Sequence, residues 1–148
     1  STPDCKSDVV LIVGRGMKRL HVSRQFLAIH SPVFETMFFK EAKRDEIPVK
    51  DVKCAEFLDL LRVIYPPHLE MSAKNVAHIL TLAVRFEVKS AIDAAERFLI
   101  RSKHVSLAVK LEFADQYKLE MLRDASLSID NLDGLRILKY KSEYTSYS

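Results

Sequence analysis

Apolar residues follow two different rhythms along the chain. From Asp8 to Val13 they run almost without a break, DVVLIV, a β-branched stretch of the length and kind that forms a buried strand. Gly14-Arg15-Gly16-Met17-Lys18 interrupts the run, and Arg19 to Val22 resumes it with Leu20 and Val22 alternating around His21. Two such runs flanking a glycine-bearing turn predict a hairpin. Ile47-Pro48-Val49 supplies a third short strand. Its proline has no N–H to give a ladder, which predicts an edge position.

Elsewhere the spacing is helical. Ser23 can cap a short helix that carries Phe26, Leu27 and Ala28. Ser31-Pro32 restarts the helix, with a serine at the cap and a proline in the first turn, where a missing N–H costs nothing. Phe34, Met37 and Phe38 then recur at i, i+3, i+4 on one apolar face. Phe57, Leu60, Leu61 and Ile64 predict an amphipathic helix over Ala55 to Tyr65, ended by Pro66-Pro67. Ser72 opens a further helix with Val76, Ile79, Leu80, Ala83 and Val84 on one face. Ser90-Ala-Ile-Asp93 has the form of a capping box with Asp in place of Glu or Gln, and Ile92, Ala95 and Leu99 follow along one face. Beyond Lys103, Ser106 caps a helix over Leu107 to Tyr117, and Leu119, Leu122, Ala125 and Ile129 suit a second before Gly134 punctuates.

The expected fold class is therefore α+β: a small three-stranded sheet capped by a cluster of helices, with a C-terminal helical pair. The expected divisions are a flexible N-terminus over 1–7, the domain proper over 8–102, a helical extension over 103–138 and a polar, flexible tail over 139–148.

At 148 residues the chain buries roughly 68–70% of its unfolded surface, enough for a core without staples. Apolar residues at 48% and charged ones at 29% are ordinary for a soluble globular protein. The net charge of +3 is well mixed along the chain and does not select a partner. Cys5 and Cys54 stand far apart with no CxxC spacing, which reads as two free thiols in a reducing compartment. No apolar run is long enough to span a bilayer and no signal-type segment is present, so no membrane partner is expected. The start at Ser1 rather than methionine is expected of a piece of a longer protein.

Few residues carry chemistry. Gly14-Arg15-Gly16 follows a strand, but a phosphate-binding fingerprint needs a third glycine and a following helix, and here a second strand follows. His21, His30, His68, His78 and His104 have none of the spacings of zinc ligands. Cys54 precedes a helix, a position that can activate a thiol, yet no accompanying base is visible; a structural or merely accessible thiol is the simpler reading. No GxSxG, HExxH, SxxK or P-loop string occurs. No catalytic residue, cofactor or metal is expected, and the chain is not read as an enzyme. Arg15, Lys18 and Arg19, or Lys40, Lys43 and Arg44, could meet nucleic acid. The second group is interleaved with Glu41, Asp45 and Glu46, and no aromatic residues alternate with either, so solvated charged loops are expected instead.

Phe39 lies past the face of Phe34, Met37 and Phe38 and beside the charged run KEAKRDE. It is either a lid on the core or an exposed anchor, and aromatic anchors ringed by polar groups are what interface hot spots look like.

Four strings, Asp8-VVLIV, LHVSRQFLAIHSPVFETMF, EIPVKDVKCAEFLDLLRVIYP and NVAHILTLAVRFEVKSAIDAAERFL, occur in this order over Asp8 to about Leu99. Together they resemble a BTB (POZ) domain. The wording LHVSRQFLAIHSPVF and VIYPPH is most similar to the subgroup in which a MATH domain precedes the BTB domain. The resemblance implies the α+β BTB fold, homodimerisation, and service as a substrate adaptor of a cullin-RING ubiquitin ligase. A φ-x-E motif, here Phe39-Lys40-Glu41, is then expected to set Phe39 and Glu41 against a cullin N-terminal domain, with Tyr65 along the same surface. Asp8 and Arg24 match the family's acidic and basic pair at the dimer interface, and Phe26 an apolar position facing the second subunit. Read from the residues alone, Phe26 is equally ordinary core, and Asp8 and Arg24 could be separate surface charges. Val105 to Ile129 match the helical pair that extends the cullin-binding groove. The resemblance further implies that substrate is chosen by a module outside this chain, and that the protein acts in the cytoplasm, the nucleus or both. The alternative is a BTB scaffold that recruits a peptide or corepressor without binding a cullin.

Overall fold

In strand β1 (Val9–Val13), Val9, Leu11 and Val13 are buried while Val10 and Ile12 are half-buried. The β-branched run is thus covered fully on one face and partly on the other, as a central strand requires. This computed structural model describes residues 7–41 and 44–128. The expected loose N-terminus up to residue 6, Lys43 of the connector, Ile129, Gly134 and the polar tail lie outside the described residues.

β1 pairs antiparallel with β2 (Lys18–Val22), Val9 opposite Val22, and parallel with β3 (Glu46–Val49), Leu11 opposite Ile47. The order is β2-β1-β3, so Pro48 does occupy an edge strand. The hairpin closes with Gly14 and Met17 both at positive φ and a Met17 N–H to Gly14 carbonyl bond of 3.1 Å.

A parallel pair needs a crossover, and the two serine-capped helices supply it. Ser23 Oγ accepts from Phe26 N–H at 3.2 Å and starts α1 (Arg24–His30). Ser31 Oγ accepts from Phe34 N–H at 3.0 Å and starts α2 (Pro32–Glu35), which runs on into a π-helical turn, Thr36–Lys40. The Ser31 hydroxyl also donates to the Phe86 carbonyl at 2.5 Å, so this buried serine is satisfied in both directions.

Helix α3 (Cys54–Ile64) buries Phe57, Leu60, Leu61 and Ile64, the face its spacing predicts. Helix α4 (Val76–Arg85) differs from expectation. Its buried stripe runs through Val76, Ile79 and Ala83 with Leu80 and Leu82 on the flanks, which turns Val84 out to solvent. Ser72 heads a turn rather than the helix itself: its N–H bonds Asn75 Oδ1 at 2.8 Å, and its carbonyl accepts from Val76 N–H. Helix α5 (Lys89–Arg101) begins before Ser90, so that serine sits inside the first turn and is not the cap. Its hydroxyl faces His30 Nδ1 instead, at 3.3 Å.

The described residues fall into two compact units, within Ser1–Asp93 and Ala94–Ser148, which part inside α5. The first unit is centred on rings. Phe34 stacks on Phe86 with centroids 4.9 Å apart and on Phe38 at 5.7 Å, and Phe57 meets Phe34 and Phe86 edge-on. In the second unit, Ser106 caps α6 (Leu107–Tyr117) by accepting from Val109 N–H, and left-handed Lys118 turns the chain into α7 (Glu120–Ser126). Leu119, which precedes α7, has no side-chain oxygen to cap it. The buried Glu96 carboxylate does so, accepting from Leu122 N–H at 2.9 Å.

Replacing Ser31 by Ala strands the Phe34 N–H and the Phe86 carbonyl in the core. Urea unfolding is expected to report a loss of about 1–3 kcal/mol; a loss within error of zero contradicts the role given to this hydroxyl.

Candidate functional site

Asp8 extends the sheet by one residue, its N–H bonding the Val22 carbonyl at 3.1 Å. Its Oδ1 accepts from the N–H of Arg24 at 2.8 Å. Arg24 is the first residue of α1, so the carboxylate satisfies one of the donors that a helix start leaves open and sits at the positive end of the helix. The Arg24 guanidinium reaches back to the Asp8 carbonyl at 2.5 Å and also donates to the Arg44 carbonyl. One of its nitrogens lies 3.7 Å from Asp45 Oδ1. With its side chain only 17% exposed, Arg24 is not a free surface charge. It clasps the start of β1, the start of α1 and the approach to β3.

Phe26 is half-buried at the margin of the core. Its ring lies 4.4 Å from that of Tyr65 and 5.0 Å from that of His30. The Tyr65 hydroxyl accepts from Ser23 N–H at 3.1 Å, which ties the end of α3 to the start of α1. The two residues expected at different surfaces, Phe26 and Tyr65, are thus direct neighbours. Ile29, also on α1, is 74% exposed, and sequence reasoning passed over it. The signal was present: Leu27 takes the inward direction, and a residue two positions on is more than half a turn around the helix.

The π-helical turn sets the position of Phe39. Glu41 N–H closes on Thr36 carbonyl at 3.0 Å, a five-residue step. Phe34 and Phe38 stay inward and stacked, whereas Phe39 is 50% exposed and has no ring partner among the described residues. It is not a lid on the core. Lys40 and Glu41 beside it are exposed, and Glu41 shares a recess of about 200 Å³ with Met37, Arg44, Ile47 and Pro48.

No group of three or more His, Cys, Asp or Glu side chains that could hold a metal ion occurs among the described residues. His78 Nε2 meets Asp59 Oδ2 at 2.7 Å across α4 and α3, with Arg62 3.7 Å from the same carboxylate. Cys54 is a half-buried free thiol at the start of α3. None of the described helices is long and apolar enough to cross a membrane.

A family model described as BTB/POZ domain matches residues 2–103. The chain is 40% identical over 144 residues to BTB and MATH domain-containing protein 36 of Caenorhabditis elegans, covering 95% of this chain and 44% of that protein. It is 34% identical over 145 residues to BTB and MATH domain-containing protein 38 of the same organism, covering 95% and 37%. To the human BTB/POZ domain-containing protein 3 it is 35% identical over 100 residues, or 65% of this chain and 19% of that one. The chain spans less than half the length of each of these relatives.

Asp8→Ala removes the acceptor for the first N–H of α1. A loss of about 0.5–2 kcal/mol is expected in denaturant unfolding, together with faster amide exchange at Arg24. Unchanged exchange there would show that the clasp does not hold the helix start.

Proposed function

Because this chain belongs to the BTB/POZ domain family, a family of protein-interaction modules, we propose that it is a homodimeric substrate adaptor that binds a cullin N-terminal domain within a cullin-RING ubiquitin ligase. One observation carries this reading. Phe39 stands half in solvent directly after a buried, stacked pair of phenylalanines and directly before exposed Lys40 and Glu41. A large aromatic ring presented on a hydrogen-bonded π-helical turn and rimmed by charge is the form of an interface hot spot. Phe39 enters the cullin, Glu41 orients it from the rim, and Tyr65 acts from behind by holding α1. The homodimer forms through α1, where Ile29 and the outer edge of Phe26 are presented together and the Asp8–Arg24 clasp keeps the helix in place. A module outside this chain selects the substrate, and the complex works in the cytoplasm or the nucleus.

Calorimetry with a purified cullin N-terminal domain tests the first part. Wild type is expected to bind and Phe39→Ala to bind at least about 30-fold more weakly, the effect of losing a hot-spot anchor. Equal binding by the variant removes Phe39 from the interface. No binding by wild type turns the reading to a scaffold that recruits a peptide or corepressor. Mass measurement at micromolar concentration tests the second part: wild type should run as a dimer and Ile29→Lys as a folded monomer, and a wild type that is strictly monomeric contradicts the dimer.

A further inference from the structure

At the hairpin end of the sheet an open cleft of about 1410 Å³ lies within the first unit. The hairpin turn, the β3–α3 connection and one side of α4 form its walls. None of Asp8, Arg24, Phe26, Phe39, Glu41 or Tyr65 lines it. We propose that this cleft binds an acidic linear segment of a partner protein, seated by an apolar side chain.

Charge is the first reason. Arg15 and Lys18 on the hairpin and Lys50 and Lys53 on the connection all line the cleft and are exposed. Asp51 and Glu56 are the carboxylates among the lining residues. Elsewhere in this unit Arg19 pairs with Glu46, Arg24 with Asp8, Arg62 with Asp59 and Lys89 with Asp93, whereas Lys40, Arg44 and Lys74 stand singly outside the cleft; what marks the cleft is that its cations are grouped. These four cations, and Arg85 which also lines the cleft, are in no ion pair among the described residues. Their field is unspent and favours a partner of opposite sign.

The cations also stand on a held backbone. Arg85 donates to the Lys50 carbonyl at 2.6 Å and the Asp51 carbonyl at 3.0 Å, while its guanidinium lies 4.9 Å over the Phe86 ring. That holds the backbone of the connection in place, which lowers the backbone part of the ordering cost of binding. Lys53, at the start of α3, gives the helix no side-chain cap, and the open N-terminus adds positive potential to the same wall.

Shape and floor decide the kind of partner. Half-buried Ile12 and Val52 and the edge of Leu82 supply an apolar floor, and Met17, 69% exposed, forms a lip. The cleft is open rather than enclosed, which suits an extended peptide better than a small ligand surrounded on all sides. No phenylalanine or tyrosine lines the cleft, so it lacks the stacking platform that single-stranded nucleic acid uses.

Fluorescence anisotropy with a labelled peptide alternating Glu and Leu tests this on the whole chain. Wild type should bind, with affinity falling as salt rises. Lys50→Glu/Lys53→Glu is expected to weaken binding about tenfold or more, and Arg15→Glu on the facing wall to weaken it as well. Phe39→Ala should bind the peptide normally, which separates this site from the cullin reading. Unchanged affinity in folded charge-reversal variants overturns the proposal, as does equal binding of a peptide with Gln for Glu, or tighter binding of single-stranded RNA.

Discussion

The buried contact between Ser31 and Phe86 is the constraint on which the first unit depends. One hydroxyl caps α2 through Phe34 N–H and takes up the carbonyl at the end of α4, while the Phe34 and Phe86 rings stack directly beside it. A polar atom buried at this depth is tolerable only because both of its hydrogen-bonding functions are used. The consequence is directional. With Phe34 locked against Phe86 and Phe38 stacked behind it, the chain turns through a π-helical step that leaves Phe39 facing out.

The same unit places polar anchoring and apolar display side by side. Arg24 and Asp8 immobilise the start of α1, and the Tyr65 hydroxyl holds the residue before it. A helix tied so firmly at its N-terminus can afford an exposed Ile29 and a half-exposed Phe26 without fraying. At the other end of the sheet Arg85 does comparable work for the β3–α3 connection, fixing the backbone that carries Lys50 and Lys53, which are in no ion pair among the described residues. In both places an arginine spends its guanidinium on backbone carbonyls, for which its planar fork of donors is suited.

Local features were legible because they act over few residues. Serine caps at 23, 31 and 106 were readable, since each reaches only three residues ahead. The buried face of α3 and the edge position of Pro48 follow from periodicity and from a missing N–H. Where local rules misled, a longer contact had won. Ser90 looks like a cap but faces His30, sixty positions away. Val84 belongs to the apolar stripe by spacing, yet the stripe that met the core was centred on Ile79 and Ala83.

By itself, then, the sequence determined the elements, their caps, the α+β class and the family to which the chain belongs, because periodicity, capping and motif order are all written in neighbouring residues. Only tertiary structure decided which side chains meet. Phe26 with Tyr65 and Glu96 with Leu122 join segments distant in sequence, and no spacing rule pairs them; Asp8 and Arg24 were matched through the family resemblance alone, and the carboxylate's bond to the Arg24 N–H is visible only in the fold. Tertiary packing likewise decided that Phe39 looks outward and that Arg15, Lys18, Lys50, Lys53 and Arg85 share one cleft. Exposure is what remains after the rest of the chain has packed, so no stretch of residues carries it alone.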